Sequence, residues 1–250
     1  MIISKKPHTK ASLVRGKQSG FALPLVILIV VVLIVVGGVS YYLYKTSPKT
    51  LPLEEILPAG AFVRDKIELD INQDGQNEIL VLYVLNKRIE KDETIWCGNI
   101  SGEKLRGDFY LALINLNKLQ SQIKLFPYWF ENGGNYKNKK LILPQDLNGD
   151  GKKLEFTFDA YGTCNGNERE IVGYSLKEQK LKRFQFYYEE GKIQEKIFVS
   201  ALPGPGLEYK EGFLIQKFYS NAPPVGAHYN YYAWNSREER FDFVRKSVEE

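Results

Sequence analysis

The stretch Ile67-Glu68-Leu69-Asp70-Ile71-Asn72-Gln73-Asp74-Gly75-Gln76-Asn77-Glu78-Ile79-Leu80-Val81-Leu82-Tyr83 changes character twice. Up to residue 71, Ile67, Leu69 and Ile71 alternate with polar residues, the period of a half-buried strand. From residue 79, Ile79, Val81 and Tyr83 line one face of a more apolar run. Between the two lies D-x-N-x-D-G, a turn-forming sequence rich in oxygen side chains. Strand, acidic loop, strand is therefore the local unit. It recurs at Asp146-Leu147-Asn148-Gly149-Asp150-Gly151-Lys152-Lys153-Leu154-Glu155, again after an apolar stretch and before a strand pattern.

Outward from these units the chain keeps period two. Residues 109–116, 123–130, 155–161, 170–176, 181–188, 192–199, 212–219, 229–234 and 241–244 read as strands. Asn132-Gly133-Gly134, Asn165-Gly166, Pro203-Gly204-Pro205-Gly206 and Pro223-Pro224 punctuate them. Three segments repeat as strand–turn–strand: 109–126 around Asn115-Leu116-Asn117, 170–186 around Lys177-Glu178-Gln179, and 229–244 around Asn235-Ser236-Arg237. The pattern predicts an all-β domain over residues 61–250, propeller-like or sandwich-like, built of repeated antiparallel hairpins.

The first 60 residues differ. Residues 1–20 form a basic tail, and residues 18–44 hold no charged side chain. A helix over 21–44 would be about 36 Å long, enough to span a bilayer. Lys5, Lys6, Lys10, Arg15 and Lys17 precede it and Lys45 and Lys49 follow, which predicts a cytoplasmic N-terminus and residues 61–250 outside the cell membrane. Tyr41, Tyr42 and Tyr44 suit the outer interface. The alternative is a cleaved signal peptide; Gly38-Val39-Ser40 offers small residues for cleavage, although the apolar run is long for one. Pro48, Pro52 and Pro58 make residues 45–60 a stalk. Beyond residue 50 the chain is net negative, so the basic charge belongs to topology and no nucleic-acid partner is expected.

The acidic loops carry the chemistry. Oxygens at positions one, three and five, with the carbonyl at seven, can converge on a hard cation, and the glycine at six permits the turn. That gives Asp70, Asn72, Asp74 and Gln76, closed by Glu78 at position nine, and Asp146, Asn148, Asp150 and Lys152 (Gln76 and Lys152 through their carbonyls). A helical calcium hand wants glutamate at position twelve, which here is Val81 or Thr157. In the second loop Leu154 occupies position nine and Glu155 falls one residue late, so that loop is either widened or incomplete. The alternative for both is an Asx turn that needs no metal. Cys97 and Cys164 lie on the exported side, as one disulfide or as two unrelated thiols.

On Asp70, Asn72, Asp74, Gly75 and Glu78, and on Asp146, Asn148, Asp150 and Gly151, the sequence resembles the FG-GAP / VCBS type of calcium-binding β repeat. The resemblance covers the two loops and their flanks well and the rest loosely. It implies bound Ca2+ and an exported domain used for adhesion or for binding an extracellular protein or glycan. Separately, Lys17-Gln18-Ser19-Gly20-Phe21-Ala22-Leu23 is similar to a type IV pilin leader. Leu25 stands where pilins place glutamate, and Pro48 and Pro52 stop the helix early.

Enzyme signals are weak. His228 is the only histidine beyond the anchor, no G-x-S-x-G segment occurs, and no carboxylate pair stands out. The aromatic segments 126–130 and 229–234 suit either a β core or a ligand-binding face. Asn99-Ile100-Ser101 matches a glycosylation acceptor. The expectation is a membrane-anchored binding or adhesion module without catalysis. A minor pilin-like subunit of a surface filament and a cell-envelope hydrolase are the alternatives.

Overall fold

The computed structural model of the chain describes residues 22–46, 51–92, 102–126, 140–163, 166–188, 191–200 and 206–249. The disulfide expected between Cys97 and Cys164, the acceptor at Asn99 and most of the aromatic segment 126–130 lie outside the described residues. The chain divides into two compact units, Met1–Lys49 and Thr50–Glu250.

The first unit contains helix α1 (Ala22–Thr46). Pro24 sits in its first turn, where the missing N–H would have no intrahelical partner anyway. The side chains described in it, residues 26–39, are all exposed. The described side chains of α1, residues 26–39, make a run shorter than a bilayer span takes.

Among the described residues the second unit is all-β apart from one helical turn, α2 (Leu53–Ile56). Strands β1 (Phe62–Leu69), β2 (Glu78–Asp92), β3 (Gly102–Asn115) and β4 (Lys118–Lys124) form a four-stranded antiparallel meander in chain order. Strands β5 (Glu155–Thr163), β6 (Gly166–Ser175) and β7 (Lys180–Tyr187) form a second meander, with Gln145 bridging Glu155 at its edge. A third comprises β10 (Leu207–Lys210), β11 (Phe213–Ser220), β12 (Gly226–Asn235) and β13 (Arg240–Glu249). The short strands β8 (Ile193–Gln194) and β9 (Ile197–Ser200) pair with β7 and β6. The run 192–199, expected as one strand, is thus split between two partners.

The three predicted strand–turn–strand segments are the hairpins β3–β4, β6–β7 and β12–β13. Each turn has a residue in the left-handed region: Leu116 and Asn117, Gln179, and Glu239. The second and third meanders are not separate. Residues 240–242 of β13 pair in parallel with residues 185–187 of β7, which joins both meanders into one nine-stranded, curled sheet.

Period two explains the packing. Leu80, Leu82 and Val84 of β2 face one way and join Leu111 and Leu113 of β3 and Phe156, Phe158, Val172 and Leu181 of the second meander in one core. Val81 and Tyr83 face the other way and are covered by Leu57, just after α2. A strand covered on both faces needs apolar residues at every position, hence the unbroken run 79–85. The opposite face of the second meander, Ile171, Phe184 and Phe186, meets Leu147, Leu214, Tyr232 and Phe241 in another core. In the β2–β3 pair Asn86 and Lys87 oppose the single residue Gly107, a β-bulge. Gly107 has φ +153°, and a Cβ there would come within 2.5 Å of the Leu85 carbonyl oxygen, so the bulge closes only on glycine.

Candidate functional site: two like-wired acidic loops

The first acidic loop links β1 to β2. Its side chains tie down its own backbone. Asp70 accepts the amide hydrogens of Asp74 through Oδ1 and of Gly75 through Oδ2, both at 3.0 Å. Asn72 Oδ1 accepts from the Asp74 amide at 2.9 Å, and Asp74 Oδ1 from the Gln76 amide at 2.8 Å. Glu78 opens β2, is 1 % exposed, and reaches back to the Ile71 amide at 3.0 Å. Asn72 Nδ2 donates to both Glu78 (2.9 Å) and Asp74 (3.0 Å), and Asn115 Nδ2 from the end of β3 donates to Glu78 at 3.1 Å.

The second loop repeats this wiring. Asp146 accepts from Gly149 (2.8 Å) and Gly151 (3.1 Å), Asn148 Oδ1 from Asp150 (3.0 Å), and Asp150 Oδ1 from Lys152 (2.8 Å). Glu155 accepts from the Leu147 amide at 2.9 Å and Asn148 Nδ2 at 3.1 Å, the parts that Ile71 and Asn72 play toward Glu78. The one-residue offset is therefore absorbed by a widened loop. Three residues (Lys152, Lys153, Leu154) rather than two (Gln76, Asn77) separate the glycine from the closing glutamate. Gly75 and Gly151 hold φ +89° and +82°, conformations that ordinary side chains resist.

The two loops meet: the Lys152 ammonium donates to the side-chain oxygen of Gln73. Tyr174 of β6 lies near the first loop, its phenol pushed up by burial and by the Glu78 and Asp74 charges. The entry to the second loop is fixed from β1. Asp65 accepts the amide hydrogens of Leu141 (2.6 Å) and Ile142 (2.9 Å) and pairs with Lys140 at 3.3 Å. Burial alone would raise its carboxyl, but these bonds outweigh it and hold it below the ordinary range.

The electrostatics set the closing glutamate of the second loop apart. Glu155 is 2 % exposed; burial, with Asp150 and Asp146 close by, pushes its carboxyl up to about 7 against the two amide bonds that favour its charge. The donor set is all oxygen, which is what calcium takes. The carboxylates are nonetheless held by amides, and among the described residues no three acidic, histidine or cysteine side chains converge closely enough to hold an ion. The chemistry of the donors fits a hard cation, and the surplus negative charge around Glu155 would be relieved by one.

The remaining sequence candidates fall elsewhere. His228 stacks on Phe218 at 5.1 Å and its Nε2 lies 2.7 Å from the Pro224 carbonyl oxygen. The segment 229–234 divides by period two: Tyr232 and Trp234 enter the core, while Tyr229 and Tyr231 lie beside Lys217 and Arg245. Asp65, Asn115 and Tyr209, whose ring packs on Gly149, were not legible as loop residues. They reach the loops from distant strands, and no local spacing signals them.

A comparison with known proteins finds no matching family model, no matching curated protein and no matching solved structure.

Proposed function

We propose that this chain is a membrane-anchored extracytoplasmic binding or adhesion module, with a β domain of the FG-GAP / VCBS kind whose two acidic loops are stabilised by Ca2+. The observation that carries the reading is the duplication of loop wiring at two places far apart in sequence, each ending on a buried glutamate. Asp70, Asn72, Asp74 and Glu78 would serve one ion, and Asp146, Asn148, Asp150 and Glu155 another. The ion's chemistry would be electrostatic: it neutralises carboxylates that otherwise repel. The propeller-like or sandwich-like arrangement of repeated meanders belongs to the same reading. Residues 21–44 supply the anchor.

Calcium at about 5 mM should raise the melting temperature of the full chain in detergent, by mass action on sites of roughly 10⁻⁴ to 10⁻³ M affinity. Asp74→Ala should remove a large part of that rise. The sequence alone suggests a smaller effect for Asp150→Ala, because Leu154 stands at position nine. The widened loop restores Glu155 to the closing role, so the two variants should lose comparable amounts. Without calcium, Glu155 makes the fold less stable as pH rises. Its folded value of about 7 exceeds the ordinary 4.5, so stability is fullest below 4.5 and falls until about pH 7. The size is about 3 kcal/mol at most. The calcium rise should therefore be larger at pH 8 than at pH 5. Equal melting in calcium and in chelator at pH 8 would remove the metal from this account.

Topology has its own test. Protease added outside intact cells should remove the chain beyond about residue 50 and spare the basic tail. Full protection of the β domain would overturn the orientation.

A further inference from the structure

Only residues 240–242 of β13 pair with β7. Just beyond them Tyr232 opposes Phe243 and Tyr231 opposes Arg245, so Val244 is the extra residue of a β-bulge. A bulge bends its strand, and where β13 and β7 part an open cleft lies beside Val244, Arg245 and Lys246. Pairing with β12 is regular again from Arg245 to Glu249. Among the described residues, 243–249 have no ladder partner on the side away from β12. The distal half of β13 is therefore an open edge, with backbone N–H and C=O groups able to take another strand.

The side chains along this edge are arranged by charge. Period two sends Arg245, Ser247 and Glu249 to one face and Lys246 and Val248 to the other. Tyrosines of β12 hold both charges of the first set. The Arg245 guanidinium lies 4.3 Å from the centre of the Tyr231 ring, and Glu249 accepts from the Tyr229 hydroxyl at 2.6 Å. Both charged residues are exposed, and among the described residues neither has an ion-pair partner. They do not serve each other: four residues of strand set their α-carbons about 13 Å apart, and each is turned onto its own tyrosine.

We propose that this edge pairs with the same edge of a second copy of the chain, antiparallel, about a two-fold axis at Ser247. An antiparallel ladder opposes residues whose backbone groups point the same way, so a two-fold pair must be centred on a residue. A centre at Arg245 or at Lys246 sets that cation against its own copy, and like charges directly opposite are unfavourable. A centre at Val248 leaves Arg245 and Lys246 without a partner in the described stretch. A centre at Ser247 uses the whole regular stretch from Arg245 to Glu249. It sets Arg245 against Glu249 of the second copy twice over, Lys246 against Val248, and Ser247 against itself. Charges on an edge ordinarily deter pairing; here they leave one register open. The paired stretch is short, so the dimer is weak and reversible. The proposal uses no acidic-loop residue and does not depend on bound calcium.

The test is sedimentation velocity and thiol cross-linking of the full chain in detergent. The chain should shift from monomer to dimer as its concentration rises. Arg245→Glu should weaken dimerisation about tenfold or more, as should Glu249→Arg, because each sets like charges opposite at both ends of the paired stretch. Arg245→Glu with Glu249→Arg should restore it, since the swap keeps each pair complementary. Both positions are exposed, so melting should be unchanged in all three variants. Ser247→Cys should form a covalent dimer under mild copper–phenanthroline oxidation, because directly opposed α-carbons lie about 4.5–5.5 Å apart. Val244→Cys, equally open to solvent but about 20 Å from its copy in this register, should cross-link no more than the unsubstituted chain. A chain that stays monomeric up to about 0.5 mM would overturn the pairing. So would a dimer indifferent to Arg245→Glu, a double swap that fails to restore it, or cross-linking as strong at Val244 as at Ser247.

Discussion

Arg183→Ala should cost the β domain about 3–5 kcal/mol. Glu170 of β6 is fully buried, and the Arg183 Nε donates to it at 2.6 Å. Burial pushes the Glu170 carboxyl up, against the pull of Arg183 and of the Phe126 amide bonded to it at 2.8 Å. The guanidinium also donates to the Lys124 carbonyl at 2.7 Å and lies 4.1 Å over the Phe126 ring. It therefore joins the exit of β4 to β6 and β7. Alanine would strand the carboxylate, whereas Arg183→Met with Glu170→Gln removes both charges and should recover much of the loss. Lysine should not, because one ammonium cannot reproduce the fork. The raised carboxyl gives the sign of the pH effect. With Arg183 gone, protonation of Glu170 relieves the buried charge, so the single variant should be less impaired at pH 5 than at pH 8. Urea unfolding at both pH values measures this; a cost under about 1 kcal/mol would show that the pair is not integral to the core.

Gly149→Ala should be the most damaging change within the acidic loops, costing about 2–4 kcal/mol. Two effects add. The residue holds φ +77°, and a Cβ would overlap the ring of Tyr209, phenolic oxygen included. Gly151→Ala is the control: φ is +82°, but nothing lies within 4 Å of the added carbon. It should cost only the backbone term, about 1 kcal/mol. Tyr209→Ala should lose its own packing yet make Gly149→Ala much milder. A thermodynamic cycle over the two positions would therefore show strong coupling. Additive losses would mean that the ring swings aside freely.

Both results depend on features that differ in how well the sequence announces them. The acidic loops were readable because the chemistry is local: each side chain bonds an amide two to five residues away, except for the closing glutamate. The alternation in β2 was readable for a similar reason, since each residue reports its own face. The reading weakened where a residue's partner is remote. Glu170 and Arg183 look like ordinary charged strand residues until β4 arrives beside them. Leu57 sits in a stretch read as a proline-rich stalk, although it is buried against Tyr83 and its neighbours. The four residues of β10 carry too little periodicity to stand out, and their place is set by pairing with β11.

That order has a consequence for biogenesis. In the nine-stranded sheet β13 lies between β12 and β7, so the last strand of the series fills an interior place. While the chain is being made, β7 must wait for a partner more than fifty residues downstream, and a parallel one at that. Such long-range closure is slow. Until it occurs, residues 185–187 present an open backbone edge able to recruit a strand from another molecule. Lys180, Lys182 and Arg183 on the same strand place charge beside that edge, a local deterrent to self-association during the interval. The hazard window for this protein is thus the time between emergence of β7 and docking of β13, and a chaperone that shields β-edges would act on that interval.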